Sequence, residues 1–439
     1  MERSLLAAVS GIAANQDYVD VIGNNIANVD TVGYESEQPV FADLLAEQIA
    51  GASAPGGPNV GGGINPVAIG SGVRVAAVLH NLTQGSMEQT NQPTDVAIDG
   101  SGYFSVIQGG TNVYTRAGQF TLDANGNLVT PEGGLVQGWQ ATNTGTLNTT
   151  APVSSIRIPT GEVMLASETN NINMAGNLPA WDGTGTPPTV TTTIDCYDAL
   201  GNVVPVTFTY TGVSGTPNEW NMTATVPNGT STPTQLFSTP ATITFDPSTG
   251  QISGITGGGG VTGSATTGWK VSVNTMPPTP PYYFQASDTW TVDFATPGTV
   301  NDVTQYANQQ TIAAINQDGN SAGVLQTFTI GQDGVITGSF SNGRSMPVAQ
   351  IALANFPNPG GLVEVGNNVY GQSANSGQPL IGTPQSGGRG SLVGGSLEMS
   401  NVNLASQLTD LIIAQTDYQA NTKVVTTTAT DLQSIINMP

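Results

Sequence analysis

The chain has 439 residues, with 30 acidic side chains against 8 basic ones, a net charge of −22 and only 9% charged residues, where an ordinary soluble domain has roughly 25%. Without clustered lysine and arginine a phosphate-binding partner such as nucleic acid is excluded; the single cysteine, Cys196, rules out an internal disulfide, and the single histidine, His80, leaves no second candidate for any histidine-dependent metal or catalytic site. With 56 glycines and 28 prolines the chain is turn-rich but folded, and at about 150 residues per domain its length suggests roughly three domains.

In the first thirty residues Leu5, Val9, Ile12, Val19, Ile22, Ile26 and Val29 recur at threes and fours with Gln16 on the same stripe, which is the period of an amphipathic helix. Gly23 and the Asn24-Asn25 pair weaken its second half. The apolar run Leu5–Ala14 is not read as a cleaved signal, because Glu2 cancels Arg3 and the apolar spacing continues beyond it. No stretch approaches the roughly 18 apolar residues of a membrane span, so no membrane insertion is expected. Gly51–Gly63 (GASAPGGPNVGGG) reads as a flexible loop tying this helix to the body.

The body then reads as β. Val96-Ala97-Ile98 and Tyr103-Phe104-Ser105-Val106 are strand-like and are punctuated by Asp99-Gly100 and by the turn Asp123–Asn127. From 146 to 300 the alternation is stronger: Val204, Val206, Phe208, Tyr210; Trp220, Met222, Ala224, Val226; Ile243, Phe245; Trp269, Val271, Val273; Trp290, Val292, Phe294. These are period-2 strands with one buried face, separated by turn clusters at Asp198–Asn202, Asp246–Gly250 and Gly257–Gly260, and an all-β sandwich or barrel is the natural fold. A third β stretch covers Val324–Ile336 and Val348–Leu353, and Gln385–Gly395 is a second flexible stretch.

The last forty residues carry an unbroken 4-3 alternation of Leu404, Leu408, Leu411, Gln415, Tyr418, Thr422, Val425, Ala429, Leu432 and Ile436, with Asn401 or Asn403 as N-cap. Neither terminal helix can bury its stripe alone, so the two should pair with each other or with neighbouring molecules; the alternative is that both are ordinary helices packed on one globular core, since bundles and coiled coils share a heptad stripe.

Catalytic patterns are absent: no Gly-x-Ser-x-Gly elbow, no phosphate loop and no two-histidine zinc helix. Asp123, Asn125 and Asn127 mimic a calcium loop, but Leu128 stands where the turn glycine is required, so a hairpin turn is preferred. Asp95 and Asp99 are expected on one solvent face, Cys196 as an inert buried thiol and His80 as a structural or surface residue. No catalytic, metal or cofactor residue is assigned, and the chain is read as a non-enzyme.

The run Asn24–Tyr34 (NNIANVDTVGY) resembles the N-terminal signature of the bacterial flagellar rod and hook family, carried here by Asn25, Ala27, Asn28, Thr31, Gly33 and Tyr34. Ser400–Ala405 and Ala414–Asn421, with Gln419, Ala420 and Asn421, resemble the signature at its other end. Asp95–Phe104 and Tyr114–Phe120 are similar to the body segment shared by distal rod and hook members, and the 146–300 insertion with Asp195–Asn202 is similar to the extra domain of hook members. Gln317-Asp318-Gly319, Leu353–Phe356 and Val365–Asn368 point the same way. Two departures stand out: Glu35 occupies a position usually basic in the family, and both terminal helices carry little charge.

The resemblance implies a mixed, mostly β fold with paired, coiled-coil-like terminal helices and two nested all-β domains. The expected division is a helical polymerisation domain with hinges (1–75 and 390–439), a discontinuous β core (76–145 and 301–389) and an inserted β domain (146–300). Leu5, Val9, Ile12, Val19, Ile22 and Ile26 would form one polymerisation seam, and Leu404, Leu408, Leu411, Tyr418, Val425, Leu432 and Ile436 the other. The implied function is the structural subunit of the flagellar hook, a self-assembling helical tube serving as a flexible joint that passes torque from rod to filament. A distal rod subunit is the alternative, and an extracellular β-rich adhesin or enzyme a more remote one. Implied partners are further copies of the chain, the distal rod protein, the hook cap scaffold protein, the hook–filament junction protein and the flagellar export apparatus. No cofactor is implied, and the place is the extracellular hook or basal body, reached without a cleaved signal peptide.

Overall fold

The computed structural model describes residues 2–54, 62–142, 145–161, 163–227, 233–264, 267–273, 290–294 and 302–437. The fold is mostly β with one helix at each end, α1 (Glu2–Ala27) and α2 (Leu404–Ile436). The chain forms two compact units: one of Met1–Pro159, Thr327–Gly338 and Ser345–Pro439, the other of Thr160–Gln326 and Ser339–Arg344.

In the first unit α1 and α2 lie side by side and run antiparallel, since Asn25 meets Gln407 near one end and Gly11 meets Asn421 further along. Asn403 caps α2: its backbone is extended and its side chain accepts from the Ser406 N–H at 3.2 Å, satisfying one of the orphan donors of the first turn. Asn401 serves elsewhere, accepting from Ser36 N at 2.7 Å and donating to the Asn81 and Thr83 carbonyls.

After α1 the chain runs out and back as a two-stranded ribbon. Glu37–Asp43 pairs antiparallel with Val73–His80 through a bulge at Val40/Phe41, and Glu47–Ala50 pairs with Val67–Ile69. The expected loop Gly51–Gly63 therefore joins two paired strands instead of bridging a helix to a body; Ser53 bridges to Ile64, and residues 55–61 lie outside the described residues. The ribbon packs on α1 through an edge-on contact of Tyr18 with Phe41 and through Ser10 Oγ, which accepts from Val73 N.

The core sheet of this unit has Tyr103–Gln108 at its centre, flanked by Thr111–Thr115 and Leu135–Gln140, with Ser345–Ile351 beyond the latter. The second expected flexible stretch, Gln385–Gly395, is held in place: Ser391–Gly394 pairs with Val96–Asp99, Leu392 is buried, and Arg389 donates to the Thr383 and Leu380 carbonyls and to Ser386 Oγ. Its glycines gave a linker composition, but an arginine with five donors has fixed the turn.

The second unit is a sandwich. One sheet orders Thr189–Tyr197, Val203–Gly212, Glu219–Val226, Ala241–Phe245 and Ile252–Gly257; the other is built around Asn171–Pro179, which pairs in parallel with Trp290–Asp293 and Val303–Tyr306 and antiparallel with Ala313–Gln317. The inward faces of both sheets meet in one core that contains Val204, Val206, Phe208, Tyr210, Trp220, Met222, Val271, Trp290 and Phe294. The alternating stripe read from the sequence is thus the inner face, and Cys196 sits in the same core. Burial pushes its thiol up to about 12, so it is not a nucleophile.

Candidate assembly site

The seam residues fall into two sets. Ala8, Gly11, Ala14, Ile22 and Asn25 of α1 and Ala414 and Thr428 of α2 are buried, and across the helix pair Gly11 meets Asn421 and Asn25 meets Gln407. An added Cβ at Gly11 would lie 2.8 Å from Asn421 Nδ2, so the helices approach closely because small residues line the contact. Of the predicted α1 stripe, Ile22 is buried; Leu5, Ile12, Val19 and Ile26 are half-buried along its flank, and Val9 is exposed. Of the predicted α2 stripe, Leu411 and Val425 are half-buried, while Leu404, Leu408, Tyr418, Leu432 and Ile436 are exposed.

Hydropathy ranks leucine and isoleucine above alanine and glycine, so the line of closest approach is displaced from the stripe it picks out. The missed signal was the recurrence of Ala8, Gly11 and Ala14 at threes. The result is an apolar flank on α2, with Leu408 46% and Ile412 65% exposed, that neither helix covers.

The polar surface of α2 is also muted. The hydroxyls of Thr409, Thr416, Thr422, Thr427, Thr428 and Ser434 each donate to the carbonyl four residues back, so these hydroxyls are taken up within the helix, and all of them but that of the buried Thr428 are on exposed residues.

The signature residues at the end of α1 form a junction. Asn25, 1% exposed, uses both ends of its amide: Nδ2 donates to the Glu37 carbonyl at 2.7 Å and to Gln407 Oε1 at 3.2 Å, and Oδ1 accepts from Glu37 N at 2.9 Å and from the Tyr34 hydroxyl at 3.2 Å. One side chain thereby fixes the helix end, the first ribbon strand and α2 together. Asn28 donates to the Asn24 carbonyl and accepts from Thr31 Oγ1, turning the chain out of the helix, and Ala27 lies exposed beside it.

Gly33 has φ +66°, and its N–H donates to the Glu398 carbonyl at 2.7 Å; a Cβ there would meet Ala117 N at 2.7 Å. In α2, Asn421 faces Gly11, whereas Gln419 and Ala420 are exposed.

Glu35 is buried in this junction, together with Arg116, Glu398 and Tyr103. Asp95, expected on a solvent face, is also buried and accepts from Thr90 Oγ1 at 2.6 Å, because it precedes the strand and bridges Gln119 there instead of joining the alternation; Asp99 is exposed as read. His80 is half-buried with its ring edge-on to Tyr370. Asp123 makes the hairpin turn, accepting from Asn125 N, Asn127 N and Asn127 Nδ2. Among the described residues no three His, Cys, Asp or Glu side chains converge to hold a metal, and no helix is long and apolar enough to cross a membrane.

Family models match four segments of the chain: the flagella basal body rod protein over residues 5–34, the flagellar hook protein FlgE/F/G D1 domain over 97–180, the flagellar basal body protein FlaE D2 domain over 177–320 and the flagellar basal body rod FlgEFG protein C-terminal region over 393–438. The chain is 37% identical to the flagellar hook protein of Treponema pallidum, with all of both chains covered, and 34% identical to that of Borreliella burgdorferi, again over the whole of both. It is 33% identical to that of Salmonella typhimurium over 99% of this chain and all of the other. The crystal structure of a Helicobacter pylori flagellar hook protein matches its fold with a TM-score of 0.50 at 17% identity, covering 70% of this chain and 98% of that one. Full-length likeness at this level, on the junction and helix pair described above, makes the chain a member of the flagellar hook protein family.

Proposed function

We propose that this chain is the structural subunit of the bacterial flagellar hook, polymerising into a helical tube that bends while it passes torque from rod to filament. The observation that carries the reading is the uncovered apolar flank of α2 beside a closely packed α1–α2 pair, in a chain that is otherwise poor in charge and rich in neutral polar groups. A flank of this kind is buried when copies associate, and a heterologous contact that does not close on itself generates a filament. In this reading residues 1–75 and 390–439 form the polymerising part, 76–145 and 301–389 a core around it, and 146–300 the inserted domain. The seams are those of Leu5–Ile26 and Leu404–Ile436, and the protein performs no catalysis. The subunit is exported through the flagellar export apparatus without a cleaved signal and assembled outside the cell. It meets the distal rod protein, the hook cap scaffold protein and the hook–filament junction protein there.

Bending requires interfaces that shift between near-equal arrangements. Surfaces with few ion pairs lack the registers that would lock one arrangement. Lys/Glu pairs introduced across the body interfaces should stiffen the polymer, and unchanged bending stiffness would remove this part of the proposal.

The assembly reading is tested with Leu408→Glu combined with Ile412→Glu. Both positions are exposed, so the purified monomer should keep its helix content while polymer formation is lost. Removal of about thirty residues from each end should also abolish polymerisation. Tubes formed by either protein would overturn the reading.

A further inference from the structure

Glu35 stands in the segment leaving α1, Glu398 ends the strand Ser396–Glu398 that leads into α2, and Arg116 reaches between them from just beyond Thr111–Thr115. Their side chains are 5%, 4% and 7% exposed respectively. The guanidinium is committed to Glu398: Nε lies 3.2 Å from Oε2, Nη2 lies 3.3 Å from Oε1, and Nη2 also donates to the Gly100 carbonyl. Glu398 Oε1 further accepts from Gly85 N, so this carboxylate is fully served.

Glu35 is not. Among the described residues its one hydrogen-bond donor is the Tyr103 hydroxyl, 3.1 and 3.4 Å from its two oxygens, and Arg116 Nε lies 4.0 Å away. Two buried carboxylates thus face one guanidinium, and a buried carboxylate served by one neutral donor is better accommodated with a proton than with a charge.

The charged and titratable groups acting on Glu35 come from several elements. Arg116, Glu398 and Tyr103 are joined by His80 of the ribbon, which lies 3.7 Å from Glu37 and edge-on to Tyr370, and Tyr370 in turn has Glu364 nearby. Burial raises the Glu35 carboxyl above its ordinary value of 4.5; Arg116, the Tyr103 hydrogen bond and His80 oppose the rise, and Glu398 adds to it.

We propose that Glu35 is a proton-linked latch: it takes up a proton as the chain folds, and loss of that proton as pH rises loosens the tie between the segment leaving α1 and the segment entering α2. The same segments are joined by the Gly33 N–H to Glu398 carbonyl bond, so the latch sits on the connection that seats the terminal helices. Because the folded-state carboxyl is raised, its contribution is complete below 4.5, where the unfolded chain is also protonated, and is lost as pH climbs from there through the folded-state value.

The test is denaturant unfolding of the full chain, followed by helical circular dichroism from pH 4.5 upward, against Glu35→Gln, which imitates the protonated carboxyl. The ratio of unfolding constants, natural chain over variant, should rise by up to about tenfold per pH unit and then level off. A ratio independent of pH over this range would overturn the proposal. Should the variant fail to fold, carbon-13 NMR of the glutamate carboxyls in the natural chain decides: the Glu35 carboxyl should titrate above the exposed glutamates, and titration at or below 4.5 would refute the latch.

Discussion

Replacing Asn25 with alanine should cost the first unit about 4 kcal/mol, counting its four hydrogen bonds at about 1 kcal/mol each. The substitution also strips a partner from both the N–H and the carbonyl of Glu37, so the loss should not fall below the sum. A domain has about 5–15 kcal/mol of stability in all, and with a urea slope of about 2–3 kcal/mol per molar the midpoint should fall by roughly 1.5 M. Both helices belong to the first unit, whereas Trp181, Trp220, Trp269 and Trp290 belong to the second. Helical circular dichroism should therefore report the shift, while the tryptophan fluorescence transition, to which only Trp139 of the first unit contributes, stays nearly in place. A loss of less than about 1 kcal/mol would mean that the asparagine amide does not hold the junction together.

Gly33→Ala should destabilise the same unit by about 2–4 kcal/mol in the same assay, because the left-handed backbone and the 2.7 Å approach to Ala117 N both resist a side chain. Phe208→Ala, which empties a fully buried position of the sandwich, should lower the fluorescence transition by about 3–5 kcal/mol and leave the helical signal unmoved. Cys196 should resist alkylation in the native chain and react once denaturant opens the second unit; rapid native labelling would contradict its burial and its thiol value of about 12.

What was legible in the sequence was what depends on near neighbours in the chain. Val204, Val206, Phe208 and Tyr210 alternate with Pro205, Thr207 and Thr209, and the first set is buried while the second is only partly so. The turns Asp123–Asn127 and Asp198–Asn202 share the spelling Asp-Ala-x-Gly-Asn, and both aspartates accept from the final asparagine through its N–H and its side-chain amide.

What was not legible depends on partners far away. Arg116 and Glu398 are 282 residues apart, and no local pattern announces that a lone arginine will be buried between two glutamates. The ribbon was hidden for a related reason. Val73–His80 places Val75, Ala76, Ala77, Val78 and Leu79 in succession without alternation, so its glycine-rich tip looked like the more informative feature.

Charge scarcity then has a consequence for assembly. The eight basic residues are largely engaged within the chain: Arg116 with Glu398, Arg3 with Glu47, Lys270 with Asp293, and Arg157, Arg344 and Arg389 with loop carbonyls. Few cations remain to bridge the acids of another copy, so in the assembly proposed above the contacts are neutral and apolar and the net charge of −22 works against them. Screening shortens the reach of that repulsion from about 30 Å at 0.01 M salt to about 8 Å at 0.15 M. Polymer formation should therefore strengthen as salt is added, with the critical concentration falling, measured by sedimentation of the full chain across that range. Contacts built on ion pairs respond in the opposite direction, and a critical concentration that rose with salt would show that copies are joined by ion pairs and refute the neutral, apolar contact.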